Sequence, residues 1–235
     1  MTNFLSPSRT RIKICGLTRE ADVEAAVHAG VDAIGLVLYP PSPRAVTAER
    51  AGQLVRRLPP FVTPVLLFVN PSPEDVQAAC SQVPGATLQF HGDETPDFCL
   101  KLQHTLHLPF LKAARIPLGG EGKAFDLLKY ATLHSAAQAL LLDAHVEGFG
   151  GGGQAFDWSL LPKNVNVHLV LSGGLNAANV TEGIRQLRPK CLSLGVDVSS
   201  GVEAVGADGL VQKGLKDAEK IVQFVAAVRA ADLHP

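Results

Sequence analysis

Two segments decide the fold: His168-Leu169-Val170-Leu171-Ser172-Gly173-Gly174-Leu175-Asn176, and then Leu192-Ser193-Leu194-Gly195-Val196-Asp197-Val198-Ser199-Ser200-Gly201-Val202-Glu203. Each reads as a short apolar strand, buried, running into a small-residue turn that leads a helix. A turn residue without Cβ lets backbone N–H groups approach a ligand closely. N–H groups clustered at a helix start carry positive partial charge and suit a phosphate. One such turn says little, because glycine turns are common. Two in succession, ending the last two of several βα units, match the phosphate site of a (β/α)8 barrel, which forms after strands seven and eight.

Working outward, the same unit repeats along the chain. Strands are read at Arg11 to Cys15, Ala33 to Leu38, Thr63 to Val69, Ala86 to Phe90, Phe110 to Ala113 (a weak one), Ala139 to Leu142, Val167 to Leu171, and up to Val198. AIGLVL at Ala33 to Leu38 has no polar residue, as expected of a parallel strand covered on both faces. Between strands lie helix signals. Thr18 is an expected N-cap with Glu20 and Asp22 in the first turn, and Gly30 is the stop. Thr47 opens the second helix, Ser72-Pro73 leads the third and Thr95-Pro96 opens the fourth. The fifth is expected from Gly120 to His134, a short one at Phe156-Asp157-Trp158, the seventh from Asn176 and the last over Lys216 to Arg229. The YPPSPR segment, Tyr39 to Arg44, forms a stiff loop because its three prolines exclude a helix. Strict alternation of eight strands and about eight helices allows an open doubly wound sheet or a closed barrel. No GxGxxG follows the first strand, which disfavours the open dinucleotide-binding sheet. The expected class is therefore α/β, a single-domain (β/α)8 TIM barrel over residues 11–235, preceded by a flexible tail at residues 1–10.

The length of 235 residues fits a one-domain barrel, typically ~250. A formal net charge of -1, with no long run of either sign, argues against nucleic acid or an anionic membrane as the main partner. No apolar run approaches the ~18 residues of a membrane span, and the polar start lacks a secretory core. Cys15, Cys80, Cys99 and Cys191 form no CxxC pair, which fits a reducing, cytoplasmic setting. No exposed apolar stripe stands out, so a monomer is expected.

Polar residues at the C-terminal ends of barrel strands face the active site. Here these are Cys15, His91, Asp143, Ser172 and Asp197, with Arg44 just past the second strand. Lys13 shares the strand face of Cys15, and its ammonium would lower the thiol pKa and favour a thiolate base or nucleophile. The competing reading of Cys15 is a small buried hydrophobe. Asp143 ends an apolar run, and its alternative is a helix cap or loop brace. Asp197 points inward, to orient a catalytic group or bond the phosphate turn. A ligand, an acid and a packed histidine all fit His91. His104 and His107 read as surface, without carboxylates to complete a metal site. Arg44 on its stiff loop can hold a carboxylate bidentately. The glycines at Gly148 and Gly150 to Gly153 suggest a lid over the mouth or a loosely ordered connection. A thiol and a carboxyl on opposite sides of a barrel mouth suit base and acid work.

At these residues the sequence resembles the phosphoribosylanthranilate isomerase family of tryptophan biosynthesis. The resemblance rests on KICGLT (Lys13 to Thr18), YPPSPR (Tyr39 to Arg44), LFVN (Leu67 to Asn70), LQFHG (Leu88 to Gly92), LLLD (Leu140 to Asp143), FDW (Phe156 to Trp158), LSGGLNAANV (Leu171 to Val180) and VDVSSGVE (Val196 to Glu203). It implies a (β/α)8 barrel that needs no metal or organic cofactor and acts on a small phosphorylated substrate. It implies Asp143 as the acid, Cys15 as the base, and Arg44 on the anthranilate carboxylate; His91 and Asp197, at strand ends of the same mouth, are expected to bind the substrate as well. Backbone N–H groups at Gly173, Gly174, Ser199, Ser200 and Gly201 would hold the phosphate. One departure is the glycine run before Gln154, where relatives often carry a threonine and a lysine. Other phosphosugar barrels want paired aspartates with metal-binding histidines, or a lysine acid with several glutamates, and neither set is present. A non-catalytic sensor would need neither Cys15 nor Asp143.

Overall fold

A computed structural model describes residues 9–118, 125–145 and 157–233. The tail at residues 1–8, the glycine run and Phe156 lie outside the described residues, as does part of the expected fifth helix. Eight strands run in chain order: β1 (Arg11–Cys15), β2 (Ala33–Val37), β3 (Thr63–Phe68), β4 (Thr87–Phe90), β5 (Phe110–Pro117), β6 (Ala139–His145), β7 (His168–Leu171) and β8 (Ser193–Val198). Each pairs in parallel with its chain neighbours, and β8 returns to β1 to close the barrel. Among the described residues the helices are α1 (Glu20–His28), α2 (Ala48–Val55), α3 (Pro73–Gln82), α4 (Pro96–Leu106), α5 (Leu127–Leu133), α6 (Val180–Leu187) and α7 (Ala218–Leu233). Only a 3-10 turn, Trp158–Leu160, is described between β6 and β7.

Local chemistry accounts for most of the helix starts. Thr47 accepts from the Arg50 N–H, Thr95 from the Phe98 N–H, and Ser72 and Asp75 form a reciprocal capping box. Thr18 departs from expectation. The N-cap of α1 is Arg19, with no side-chain cap, and the Thr18 hydroxyl donates to the Gly214 carbonyl at 2.7 Å. That carbonyl belongs to an antiparallel hairpin, β9 (Glu203–Val205) and β10 (Val211–Lys216), which is inserted between β8 and α7. The hairpin is not apparent in the sequence, and it takes Lys216, expected in the last helix, into a strand. Asn179, not Asn176, sits at the N-cap of α6. The weak fifth strand is in fact the longest, because β5 and β6 stay paired from Leu111↔Ala139 to Pro117↔His145. Asp143 therefore sits inside β6 and not at its end. Thr10, at the edge of the expected tail, is buried and bonds Asp232 through both its N–H and its hydroxyl.

The large core lies between the sheet and the helices, with Phe68, Phe90 and Phe110 buried at its centre. Inside the barrel the apolar packing splits into two patches. Val65, Leu111 and Ala139 form one, and Cys15, Val37, Leu67 and Val69 form the other. Alternation along the strands also turns Lys13, Gln89, Asp143 and Asp197 inward, and all four are buried. Burying so many polar groups is costly unless they pair, and their pairing defines the site.

Candidate active site

Strand β1 delivers Lys13 and Cys15 into the barrel on one face. Lys13 Nζ lies 3.0 Å from Asp197 Oδ2, across the β1–β8 seam. The second oxygen, Oδ1, is buried with no partner among the described residues. Neighbouring Gly35 on β2 leaves room for both side chains. A Cβ there would stand 2.6 Å from Cys15 Sγ and 2.9 Å from Lys13 Nζ. Burial works against the Lys13 ammonium, but Asp197 and Cys15 more than offset it and its pKa is raised. For Cys15 the balance falls the other way. Burial pushes the thiol up, Lys13 pulls it back, and the net shift is upward. The expectation that Lys13 would produce a low-pKa thiol is thus reversed, because desolvation of a wholly buried thiolate outweighs one neighbouring ammonium.

Across the mouth, β6 presents Asp143. Its Oδ2 lies 2.9 Å from His91 Nε2, and its Oδ1 accepts from the Ala144 N–H at 3.0 Å. His91 is held from behind by Gln89, whose Nε2 lies 3.1 Å from the histidine Nδ1. So His91 belongs to the carboxyl side of the site. Its loop is clamped by a buried pair that sequence reading did not single out. Lys112 Nζ donates to the Gly92 carbonyl at 2.7 Å and to Glu94 Oε2 at 2.8 Å, and Glu94 accepts from the N–H groups of Gly92 and Asn70. The available signal was a lysine within the apolar run Phe110 to Ala114.

Arg44 is already engaged. Its Nε and Nη2 donate to Glu203 at 2.7 and 2.8 Å, a buried fork. Burial pushes the Glu203 carboxyl up, but Arg44, Lys216 and the Gly214 N–H outweigh it, and the pKa is lowered. Lys216 also donates to the Ser199 carbonyl at 2.9 Å and contacts its Oγ at 3.3 Å. Arg44, Glu203, Lys216 and Ser199 thus form one network, which abuts the β1 turn. A Cβ on Gly16 would meet Arg44 Cδ at 2.6 Å and Ser199 Oγ at 3.2 Å.

The two small-residue turns lie together as the spacing implied. Gly173 and Gly174 hold φ of +77° and +64°, which favours glycine. Neither N–H bonds a described residue. A Cβ on Gly173 would stand 2.7 Å from Asp143 Oδ1, so this turn also abuts the carboxyl. Ser200 and Gly201 open a 3-10 turn, Ser200–Val202, and a Cβ on Gly201 would fall 1.9 Å from the Leu175 carbonyl oxygen. Gly201→Ala should therefore force the two turns apart. We expect a stability loss of about 1–3 kcal/mol in urea unfolding, with a raised KM for a phosphorylated substrate. An unchanged midpoint and KM would show that the contact yields easily.

Among the described residues no three His, Cys, Asp or Glu side chains converge as a metal site. His104 and His107 are exposed, as expected. A thiol on β1 and a carboxyl on β6 thus face one another at the C-terminal mouth of a (β/α)8 barrel, the end at which enzymes of this fold hold their active sites. The chain belongs to the N-(5'-phosphoribosyl)anthranilate isomerase family, whose model matches residues 12–227. It is 59% identical over 229 residues to the Leptothrix cholodnii protein of that name, covering 97% of this chain and 95% of that one. The Thermotoga maritima phosphoribosyl anthranilate isomerase structure superposes with a TM-score of 0.78 at 36% identity, covering 94% of this chain and 99% of that one. A phosphoribosyl anthranilate isomerase in complex with reduced 1-(o-carboxyphenylamino)-1-deoxyribulose 5-phosphate gives 0.75 at 35% identity, with the same coverage of each chain.

Proposed function

We propose that the chain catalyses the Amadori rearrangement of N-(5-phosphoribosyl)anthranilate to 1-(2-carboxyphenylamino)-1-deoxyribulose 5-phosphate, in tryptophan biosynthesis. The observation that carries this reading is the placement of Cys15 and Asp143 on β1 and β6 at one mouth, beside the paired glycine turns. Asp143 gives a proton to the furanose ring oxygen, the C1′–O bond breaks, and the anthranilate nitrogen supplies the electron pair of the resulting Schiff base. Cys15, as thiolate, removes the C2′ proton, and the electrons flow to nitrogen to give an enolamine. Ketonisation then yields product. Between turnovers Cys15 loses a proton to water and Asp143 regains one. Asp197 keeps the Lys13 ammonium beside Cys15 and presents its unpartnered Oδ1 to the substrate; His91 supports Asp143. The phosphate sits on backbone N–H groups at Gly173, Gly174, Ser199, Ser200 and Gly201.

The chain works as a single barrel in the cytoplasm. Supporting the location, the four cysteines are free. Among the described residues no helix is long and apolar enough to cross a membrane. The direct test is turnover of N-(5-phosphoribosyl)anthranilate without added metal, followed by the loss of anthranilate fluorescence. Binding without turnover would overturn the proposal.

Arg44 binds the anthranilate carboxylate through Nη1, which has no hydrogen-bond partner among the described residues. Its other two nitrogens stay on Glu203. Arg44→Ala should therefore do two things. KM rises with kcat nearly kept, because the carboxylate is remote from the bonds that change. Stability falls by about 3 kcal/mol, as for a buried pair that loses one partner. A large kcat loss at unchanged KM would instead place Arg44 in the chemistry.

A further inference from the structure

Gln89 lies fully buried on β4, one inward position before His91. Its amide nitrogen faces His91 Nδ1 at 3.1 Å, while its Oε1 is buried without a partner among the described residues. A neutral imidazole has one donor and one acceptor nitrogen. Since Nδ1 meets an N–H donor, it must accept, and the ring proton resides on Nε2. That proton points at Asp143 Oδ2, 2.9 Å away.

The tautomer has consequences for the acid. Oδ2 receives the His91 N–H and Oδ1 the Ala144 N–H. As the acid, Asp143 gives its proton to the substrate. When that proton leaves, both carboxylate oxygens already hold N–H donors, and these bonds become charge-assisted and stronger. Such preorganised stabilisation acts where charge develops, so it lowers the barrier and not only the ground state. We propose that Gln89 is a positioning residue that locks His91 in the Nε2–H tautomer, so that the ring N–H stabilises the carboxylate Asp143 leaves when it gives up its proton. This rests on Asp143 being the acid.

The test combines spectroscopy with a double-mutant cycle on the full chain. Proton–nitrogen correlation spectra of the histidine rings should show His91 protonated at Nε2 and bare at Nδ1. Gln89→Glu replaces the amide donor with an acceptor and should move a proton onto Nδ1. It should lower kcat roughly 10- to 100-fold, the worth of one hydrogen bond to a charged group, with KM little changed. His91→Gln keeps an N–H donor for Oδ2 but has no tautomer to set. In that background Gln89→Glu should cost almost nothing. Should the buried glutamate prevent folding, Gln89→Met run through the same cycle should lower kcat in the His91 background and not in the His91→Gln background. The proposal is overturned if Nδ1 carries the proton in the unaltered protein. Equal kcat losses in both backgrounds would also overturn it, since a merely structural role predicts them. The ring spectra do not depend on the chemistry, so failure of Asp143 as the acid would register separately, in the Asp143→Asn turnover.

Discussion

Asp143→Asn lowers kcat by roughly 10²–10⁴, the usual worth of a positioned acid, while the substrate still binds. Opening the ring requires a proton on an ether-type oxygen, which otherwise leaves poorly, and an amide cannot supply it. The hydrogen bonds add a second loss. Both oxygens of Asp143 face N–H groups, from His91 and from Ala144. An asparagine can satisfy only one of them and turns its own NH2 against the other. The variant should therefore also lose some stability, in the range of about 1–3 kcal/mol for an unsatisfied buried group. The decisive measurement is single-turnover chemistry on pre-bound substrate. Equal rates for the two proteins would pass the acid role to another group. The pH dependence assigns the base at the same time. What activity remains in Asp143→Asn should rise with pH toward the raised thiol pKa of Cys15.

Cys15→Ser should cost a similar factor, roughly 10²–10⁴ in kcat, for a different reason. A hydroxyl is far too weak an acid to ionise in place of a thiol. The smaller oxygen fits the slot left by Gly35 and can still bond Lys13, so the Lys13–Asp197 pair and the fold persist. Residual activity should no longer rise with pH toward the raised thiol pKa, in contrast to Asp143→Asn. Thiol reactivity gives an independent check. The alkylation rate of Cys15, taken as the difference between the unaltered protein and Cys15→Ser, should keep climbing above the ordinary cysteine range, because burial outweighs the pull of Lys13. Near-normal kcat in Cys15→Ser would remove the thiol from the mechanism.

The barrel was legible because its signals are local. Apolar runs without polar residues, such as Ala33 to Val37, read as strands covered on both faces, and turn chemistry at Gly30, Thr47 and Ser72 marked helix ends. Strand-end placement was enough to nominate Cys15, His91, Asp143 and Asp197. Thr18 misled because a good capping residue has a second use, as a hydroxyl donor to a distant carbonyl. The length of β5 was hidden because its extension past Ala113 is held by pairing with β6 and not by its own apolar pattern.

From local pattern alone, then, the sequence determined the period of strand and helix, the mouth at which the polar strand ends gather and the two glycine turns. These depend on residues close in the chain, where propensity, capping and backbone sterics act. Tertiary structure decided who pairs with whom. Lys13 meets Asp197 from 184 positions away, and Arg44 meets Glu203 from 159, in a hairpin that no local signal announced. Closure sets these distances, and burial then sets their energies. A lysine beside a cysteine suggests a thiolate on paper, whereas inside a closed barrel desolvation turns the shift the other way.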